Sequence, residues 1–253
     1  MSFTGSSVVI SGISIFEAAC TINPKKTRTI TFDAHLWFGA GYNTIAALSF
    51  YNKEGRSFPN DEVKKYFITA NVAMAPQVPE AIPADFNYTS DSVFTVTEFS
   101  LISDVISMVL AGGDTAADSY FRPHIHITGT VDSVDPKIDF WDMCPLQYVQ
   151  NYTQQVKDGE SQLPAGTWST NPCLPIRVVV PNTNRWSGNR KPKTRTGSIV
   201  AVSGFISGFD KDAQTGQHIH ILVELEKVTY LGALATAPCQ PGEATPKPKK
   251  GKG

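Results

Sequence analysis

From Gly197 to Gly232 the chain reads GSIVAVSGFISGFDKDAQTGQHIHILVELEKVTYLG, two runs of alternating apolar and polar residues around a polar turn. A period of two fits a strand with one face on a core, and two such runs joined by a turn fit an antiparallel hairpin. Gly204 sits inside the more regular run, SIVAVSGFIS. Interior glycine weakens a strand, so it marks a sharp barrel bend or a close approach of backbone or ligand. The same period predicts strands over Ser7–Phe16, Thr27–Phe38, Thr44–Asn52, Lys65–Ala75, Val93–Ile106, His124–Ser133, Pro175–Pro181, Gly197–Ser207 and His218–Tyr230. Helical periodicity is scarce. The segment Asp139–Lys157, around PLQYVQNYTQQV, is the candidate for a short helix. The chain is therefore expected to be all-β.

The small, polar stretch AGGDTAADS (Ala111–Ser119) splits the strands into two halves. Each half opens with a strand carrying glycine after apolar residues, VVISGISIF and IHITGTVDSV. This weak repeat predicts two OB-like or Greek-key barrel halves, over residues 1–110 and 120–235, since closure removes sheet edges. A single large sandwich would use the same strands. Residues 236–253, ending TPKPKKGKG, are rich in Pro, Gly and Lys and are expected to be disordered. Such a tail serves as a basic arm, a nuclear address or a solubilising extension.

A net charge of −1 over 253 residues argues against a wholly basic nucleic-acid coat but leaves local patches open. Cys20, Cys144, Cys173 and Cys239 are scattered with no CxxC pair, against a zinc ribbon. The start, MSFTGSSVVISGISIF, has neither a positive leader nor a membrane-length apolar run. The expectation is an intracellular protein with reduced thiols and no membrane partner, so the NxT sequons at Asn87 and Asn151 are read as chance matches. No P-loop, GxSxG, HExxH or GxGxxG in strand-turn-helix context occurs, so no enzyme activity and no cofactor are expected.

In Gly197–Gly232 the positions Gly197, Val200, Val202, Gly204, Ile206, Gly216, Val223, Leu231 and Gly232 resemble the closing strands of bacterial-type single-stranded-DNA-binding proteins. IRVVVPNTNRW (Ile176–Trp186) looks like that family's second strand, and HIHITGTVDSVD (His124–Asp135) like its first, with Gly129 at the bend. The resemblance covers residues 120–232 and implies an OB barrel. Three features depart from it. The space between Trp186 and Gly197 is too short for the family's third strand and helix, the insert from Ser133 to Pro175 is foreign, and a lysine tail replaces the acidic tip. Under this resemblance Gly204 lies where a strand coils hard around the barrel.

The sharpest local signal is RWSGNRKPKTR, which holds Arg185, Arg190, Lys191, Lys193 and Arg195 with Trp186 and no acid. Cations for phosphates and a π-face for a base are what tracking a single strand requires. A solvated loop with Trp186 folded on the core is the alternative. Alternation also places Trp37, Tyr51 and Phe205 on outer strand faces, as stacking platforms or as residues covered by another subunit. His124, His126, His218 and His220 form two HIH triplets, with Ile125 and Ile219 expected to face the core. Four imidazoles meeting in space would suit Zn²⁺, but without a carboxylate or Cys at ligand spacing no metal site is expected. Asp132, Asp135, Asp139 and Asp142 are read as a solvated acidic loop, which with Glu80–Asp118 makes the middle of the chain acidic. The leading expectation is non-catalytic binding of single-stranded nucleic acid, DNA rather than RNA, by a protein that also self-associates. Against it stand a self-associating β-rich interaction module and an oligosaccharide-binding barrel.

Overall fold

The structure, a computed structural model, describes residues 6–21, 27–39, 43–59, 62–75, 98–112, 121–135, 139–147, 149, 173–216 and 218–233. Ten strands carry nearly all of its regular structure: β1 (Ser7–Cys20), β2 (Thr29–Trp37), β3 (Asn43–Tyr51), β4 (Lys64–Met74), β5 (Leu101–Leu110), β6 (His124–Asp135), β7 (Phe140–Met143), β8 (Ile176–Val179), β9 (Ser198–Lys211) and β10 (His218–Ala233). Strands β1 to β5 close in the order β1-β2-β3-β5-β4-β1, and β6 to β10 repeat that order as β6-β7-β8-β10-β9-β6. In both circuits only the third and fifth strands run parallel, β3 with β5 and β8 with β10. Two closed five-stranded circuits of this order are two OB-type barrels, and no open sandwich edge is left between them. Among the described residues no helix is long and apolar enough to cross a membrane.

Alternation drives each circuit. Along β1, Val8, Ile10 and Phe16 are inward and buried, while Val9, Ser11 and Ile13 are half-buried on the outside. Burying one such apolar side chain contributes about 1.5–3 kcal/mol, and one continuous apolar cluster runs through both barrels, from Val8 and Leu36 to Val200 and Leu225. The β1 ladder with β2 shifts register between Glu17 and Cys20, and Ala18 there has φ +49°. An irregularity of this kind bends a strand. It lets β1 turn from β4, which it meets through Val9–Phe16, onto β2, which it meets through Ser14–Cys20. The first five residues of β1 also pair antiparallel with β6, from Ser7↔Thr128 to Ser11↔His124. This ladder joins the barrels. Gly12 and Gly129 each lie three residues beyond its central pair, Val9↔His126, so the repeated glycines occupy equivalent places. A Cβ at Gly12 would stand 3.1 Å from Pro123 Cα.

Gly204 answers to close approach rather than to coiling. A Cβ there would lie 2.2 Å from the Glu224 carbonyl oxygen of β10. The ladder between β9 and β10 shifts register at Leu222/Val223 and again at Leu225/Lys227, which brings that carbonyl over the glycine.

Several sequence expectations are corrected. Ile176–Val179 is the third strand of its barrel, not the second, because it pairs parallel with β10. The second strand is β7, inside the stretch that looked foreign to the fold. The expected helix is not formed where that stretch is described: Phe140–Met143 is extended and Leu146 bridges Cys173. Its remainder, residue 148 and residues 150–157, lies outside the described residues, as do residues 113–119 of the linker, residues 93–97 of the fifth expected strand, and the tail, residues 236–253. Ile219 is exposed rather than inward, because the register passes from His218↔Lys211 to His220↔Asp210 and leaves it unpaired in the ladder.

Candidate nucleic-acid interface

The basic stretch forms the connection from β8 to β9. Pro181 has no N–H for a ladder, so β8 ends before it. The chain then turns twice, through 3-10 segments at Asn184–Trp186 and Gly188–Arg190. The Trp186 N–H donates to the Thr183 carbonyl at 3.0 Å and the Arg190 N–H to Ser187 at 3.2 Å. At its end the Gly197 N–H donates to the Val131 carbonyl at 2.8 Å, anchoring the loop to β6. The connection is thus folded locally rather than a free excursion.

Arg185, Arg190, Lys191, Lys193 and Arg195 are all exposed on this loop. Trp186 is half-buried and packs against the core, and the Arg185 guanidinium lies over its ring at 5.0 Å. Lys191 forms an ion pair with Asp139, and Arg190 donates to the Asn184 carbonyl at 3.4 Å. Among the described residues Arg190, Lys193 and Arg195 form no ion pair, so their charge is available to a polyanion. Tyr230, on β10 and 48% exposed, joins this group, its hydroxyl 3.3 Å from the Thr194 hydroxyl. The sequence reading missed it; the signal was an aromatic near the C-terminal end of the closing strand, paired with Val200.

The other three aromatics lie elsewhere. Phe205 is six residues along β9 from Ile199, about 20 Å away at strand rise. It faces His124 at 5.0 Å and Arg122 at 5.6 Å, where Arg122 pairs with Glu224 and His124 with Glu226. Trp37 and Tyr51 occupy opposite ends of the β2–β3 hairpin, paired with Asn43 and Thr29 respectively. Trp37 is half-buried; Tyr51 is 58% exposed, beside the exposed Arg28 and Lys53. The six loop residues are thus contiguous with one another but not with Phe205, Trp37 or Tyr51.

The HIH triplets also separate. His124 and His126 lie together on β6, ring centroids 4.5 Å apart. His218 stacks on Phe209 at 4.0 Å, four residues further along β9 than Phe205, the partner of His124. Burial first, and the neighbouring His124 second, lower the basicity of His126; burial likewise lowers that of His218. Among the described residues no group of three His, Cys, Asp or Glu side chains is arranged to hold a metal ion.

The aspartates after β6 are individually engaged rather than pooled. Asp139 holds Lys191, and Asp142 takes two hydrogen bonds from Arg177, at 2.8 and 3.2 Å. Arg177 also donates to Asp210 at 2.7 Å and lies over Phe140 at 4.3 Å. This cation is consumed within the barrel wall. Burial alone would push the Asp142 carboxyl up, but the Arg177 hydrogen bonds and charge outweigh it and hold the group below the ordinary 3.8. A depressed folded value gives stability that is complete above the unfolded one and is lost as pH falls through the folded one. Below about pH 4 the melting temperature is therefore expected to drop, and Asp142→Asn should flatten that acid limb. An unchanged limb in the variant would mean that this carboxylate does not govern acid stability.

No protein-family model matches the chain, and no curated protein matches it. Among solved structures, the wild-type single-stranded DNA binding protein from Thermus aquaticus aligns at TM-score 0.41 and 10% identity, over 98% of this chain and 97% of that one. A deletion mutant of the same protein aligns at TM-score 0.42 and 10% identity, over 95% of this chain and 100% of that one.

Proposed function

We propose that this protein binds single-stranded nucleic acid without catalysis, DNA in preference to RNA, and that the β8–β9 loop is the centre of the site. The observation that carries the reading is the loop itself. Arg190, Lys193 and Arg195 stand exposed and without ion pairs among the described residues, around Trp186 and Tyr230. Backbone-tracking sites combine such cations with aromatic faces, the first neutralising phosphates and the second stacking on any base. Phe205, Trp37 and Tyr51 then belong to separate stretches of a longer path, or to other contacts.

Fluorescence anisotropy with single-stranded DNA, duplex DNA and RNA oligomers at two or more salt concentrations tests this. Binding should favour single strands and fall steeply with salt. The variant Arg190→Ala/Lys193→Ala/Arg195→Ala should flatten the log–log salt slope by about 2, since each phosphate contact on a single strand accounts for about 0.7. Lys191→Ala should change it less, because Asp139 already neutralises that charge. The folded state should survive, as exposed loop charges contribute little to stability.

One observation favours the self-associating module. Ile13, Phe67 and Val109 are direct cross-strand neighbours on the outer wall of the first barrel, with Phe67 50% and Val109 65% exposed. An unaltered affinity and slope in the triple variant, with a concentration-dependent sedimentation coefficient, would make that reading the preferred one.

A further inference from the structure

The ladder between β7 and β8 continues past both strand ends. Its pairs run from Phe140↔Val179 to Met143↔Ile176, and the same register reaches the isolated bridge Leu146↔Cys173. Between them the Leu174 N–H donates to the Pro145 carbonyl at 3.1 Å. This narrow ribbon touches the first barrel at three points. Gln147 Oε1 accepts from the Val8 N–H at 2.9 Å, the Leu146 carbonyl from the Ser6 hydroxyl at 2.7 Å, and the Cys173 carbonyl from the Met74 N–H at 3.2 Å. The barrels are thus held by the ribbon as well as by the β1–β6 ladder.

Met143, Pro145, Leu174 and Ile176 are buried, so alternation turns Cys144 and Cys173 to the same outer face, as diagonal neighbours across the ribbon. Diagonal cross-strand positions lie about 7–8 Å apart between Cα atoms and somewhat closer between Cβ atoms, just past the usual span of a disulfide, so closing the bond takes a small shift of this narrow ribbon. The two thiols also perturb each other's acidity, Cys144 raised and Cys173 lowered, as a thiol pair sharing one proton does. Cys144 is exposed and Cys173 half-buried, so a small oxidant reaches them. Cys20, by contrast, is buried in β1.

We propose that Cys144 and Cys173 form a dithiol oxidation site, and that their disulfide staples the ribbon joining the two barrels. The oxidant class is a small exposed disulfide such as oxidised glutathione. The hydrogen bond from Cys144 brings the Cys173 thiol down to about 7 against burial and the nearby Asp132 charge, which makes Cys173 the attacking thiolate. The same hydrogen bond, then burial, push Cys144 up. Cys173 Sγ attacks one sulfur of the oxidant, and the first glutathione leaves as a thiolate that takes up a proton. Cys144 Sγ then loses its proton and attacks Cys173 Sγ, expelling the second glutathione. The two cysteines lose two electrons and two protons, and the oxidant gains both.

The test uses the full chain incubated with oxidised glutathione, acid-quenched, alkylated and mapped by peptide mass spectrometry. A reversible link between Cys144 and Cys173 is expected, with Cys20 still alkylatable and the protein monomer-sized on a denaturing non-reducing gel. Closing a loop of about 30 residues constrains the unfolded chain, so the oxidised protein should melt several degrees higher and return on reduction. Cys144→Ser should stop at a glutathione adduct on Cys173, and Cys173→Ser should react at least ten-fold more slowly at Cys144. Pairing of either residue with Cys20 or Cys239, or equal adduct rates in the two variants, would overturn the site. A clean link with no change in melting would overturn the staple.

Discussion

Gly204→Ala is expected to cost about 3 kcal/mol or more of stability, at the upper end of what overpacking does in a close-packed interior. The new methyl would lie 2.2 Å from a backbone oxygen, that of Glu224, and 3.0 Å from Val223 Cγ1. A side chain can rotate away from such a clash, but a carbonyl in a ladder cannot. Relief needs β9 and β10 to part around the pair Gly204↔Leu225, where the register is already shifted. For a protein of this size that is a fall in melting temperature of about 10 °C. Gly129→Ala is the control. Its Cβ would face the mobile end of Met143 at 3.3 Å, so a shift of a few degrees at most is expected. Thermal unfolding followed by circular dichroism distinguishes them, and a Gly204→Ala protein melting within 2 °C of the parent would show that the two strands part freely.

The second large effect concerns Trp186. If a base stacks at this loop, Trp186→Ala should weaken single-strand binding by about 1–3 kcal/mol with little change in salt slope, because it removes a π-face and no charge. The ring is half-buried with one side on the core and Arg185 over it at 5.0 Å. A base therefore stacks either on the guanidinium plane or in its place. Trp186→Ala removes both options by leaving Arg185 without a platform, whereas Arg185→Ala uncovers the ring and should lower the slope by one contact only. Trp186→Phe should restore most of the affinity. Melting curves must accompany the titrations, since the truncation also opens the core edge. Full affinity in a folded Trp186→Ala protein would remove the aromatic from the site.

The two barrels were legible because their strands are amphipathic. Leu36, Leu48, Val200 and Val202, which alternation sets opposite the outward Trp37, Tyr51 and Phe205, are all buried. The repeated glycines of β1 and β6 pointed to equivalent strands, which they are. What alternation could not show was β7: four residues, FWDM, are too few to display a period, and they lie in a stretch rich in helix formers. Missing β7 made β8 look like a second strand. Ile219 was misplaced because it is the extra, unpaired residue at an irregular step in register, while Ile221, Val223 and Leu225 beyond it face the core. The loop's cations were readable from composition alone. Their neutralisation was not: Lys191 meets Asp139 across 52 positions of sequence, and Tyr230 meets Thr194 across 36. Such pairs are made by closure of the barrel, which brings the ends of β6, β9 and β10 to one rim.

The ladder between Ser7–Ser11 and His124–Thr128 has a consequence for synthesis. The first barrel's last strand ends at Leu110, so on a ribosome its five strands can all emerge before the ladder partner does. Through that interval the outer half of β1 is a row of unmet amides and carbonyls on an otherwise closed body. An unpaired edge of this kind accepts whichever strand arrives first, including the same segment of a neighbouring nascent chain. Fast emergence of β6 therefore protects the product, and ribosomal pausing between codons 110 and 128 should raise the fraction of swapped or aggregated chains.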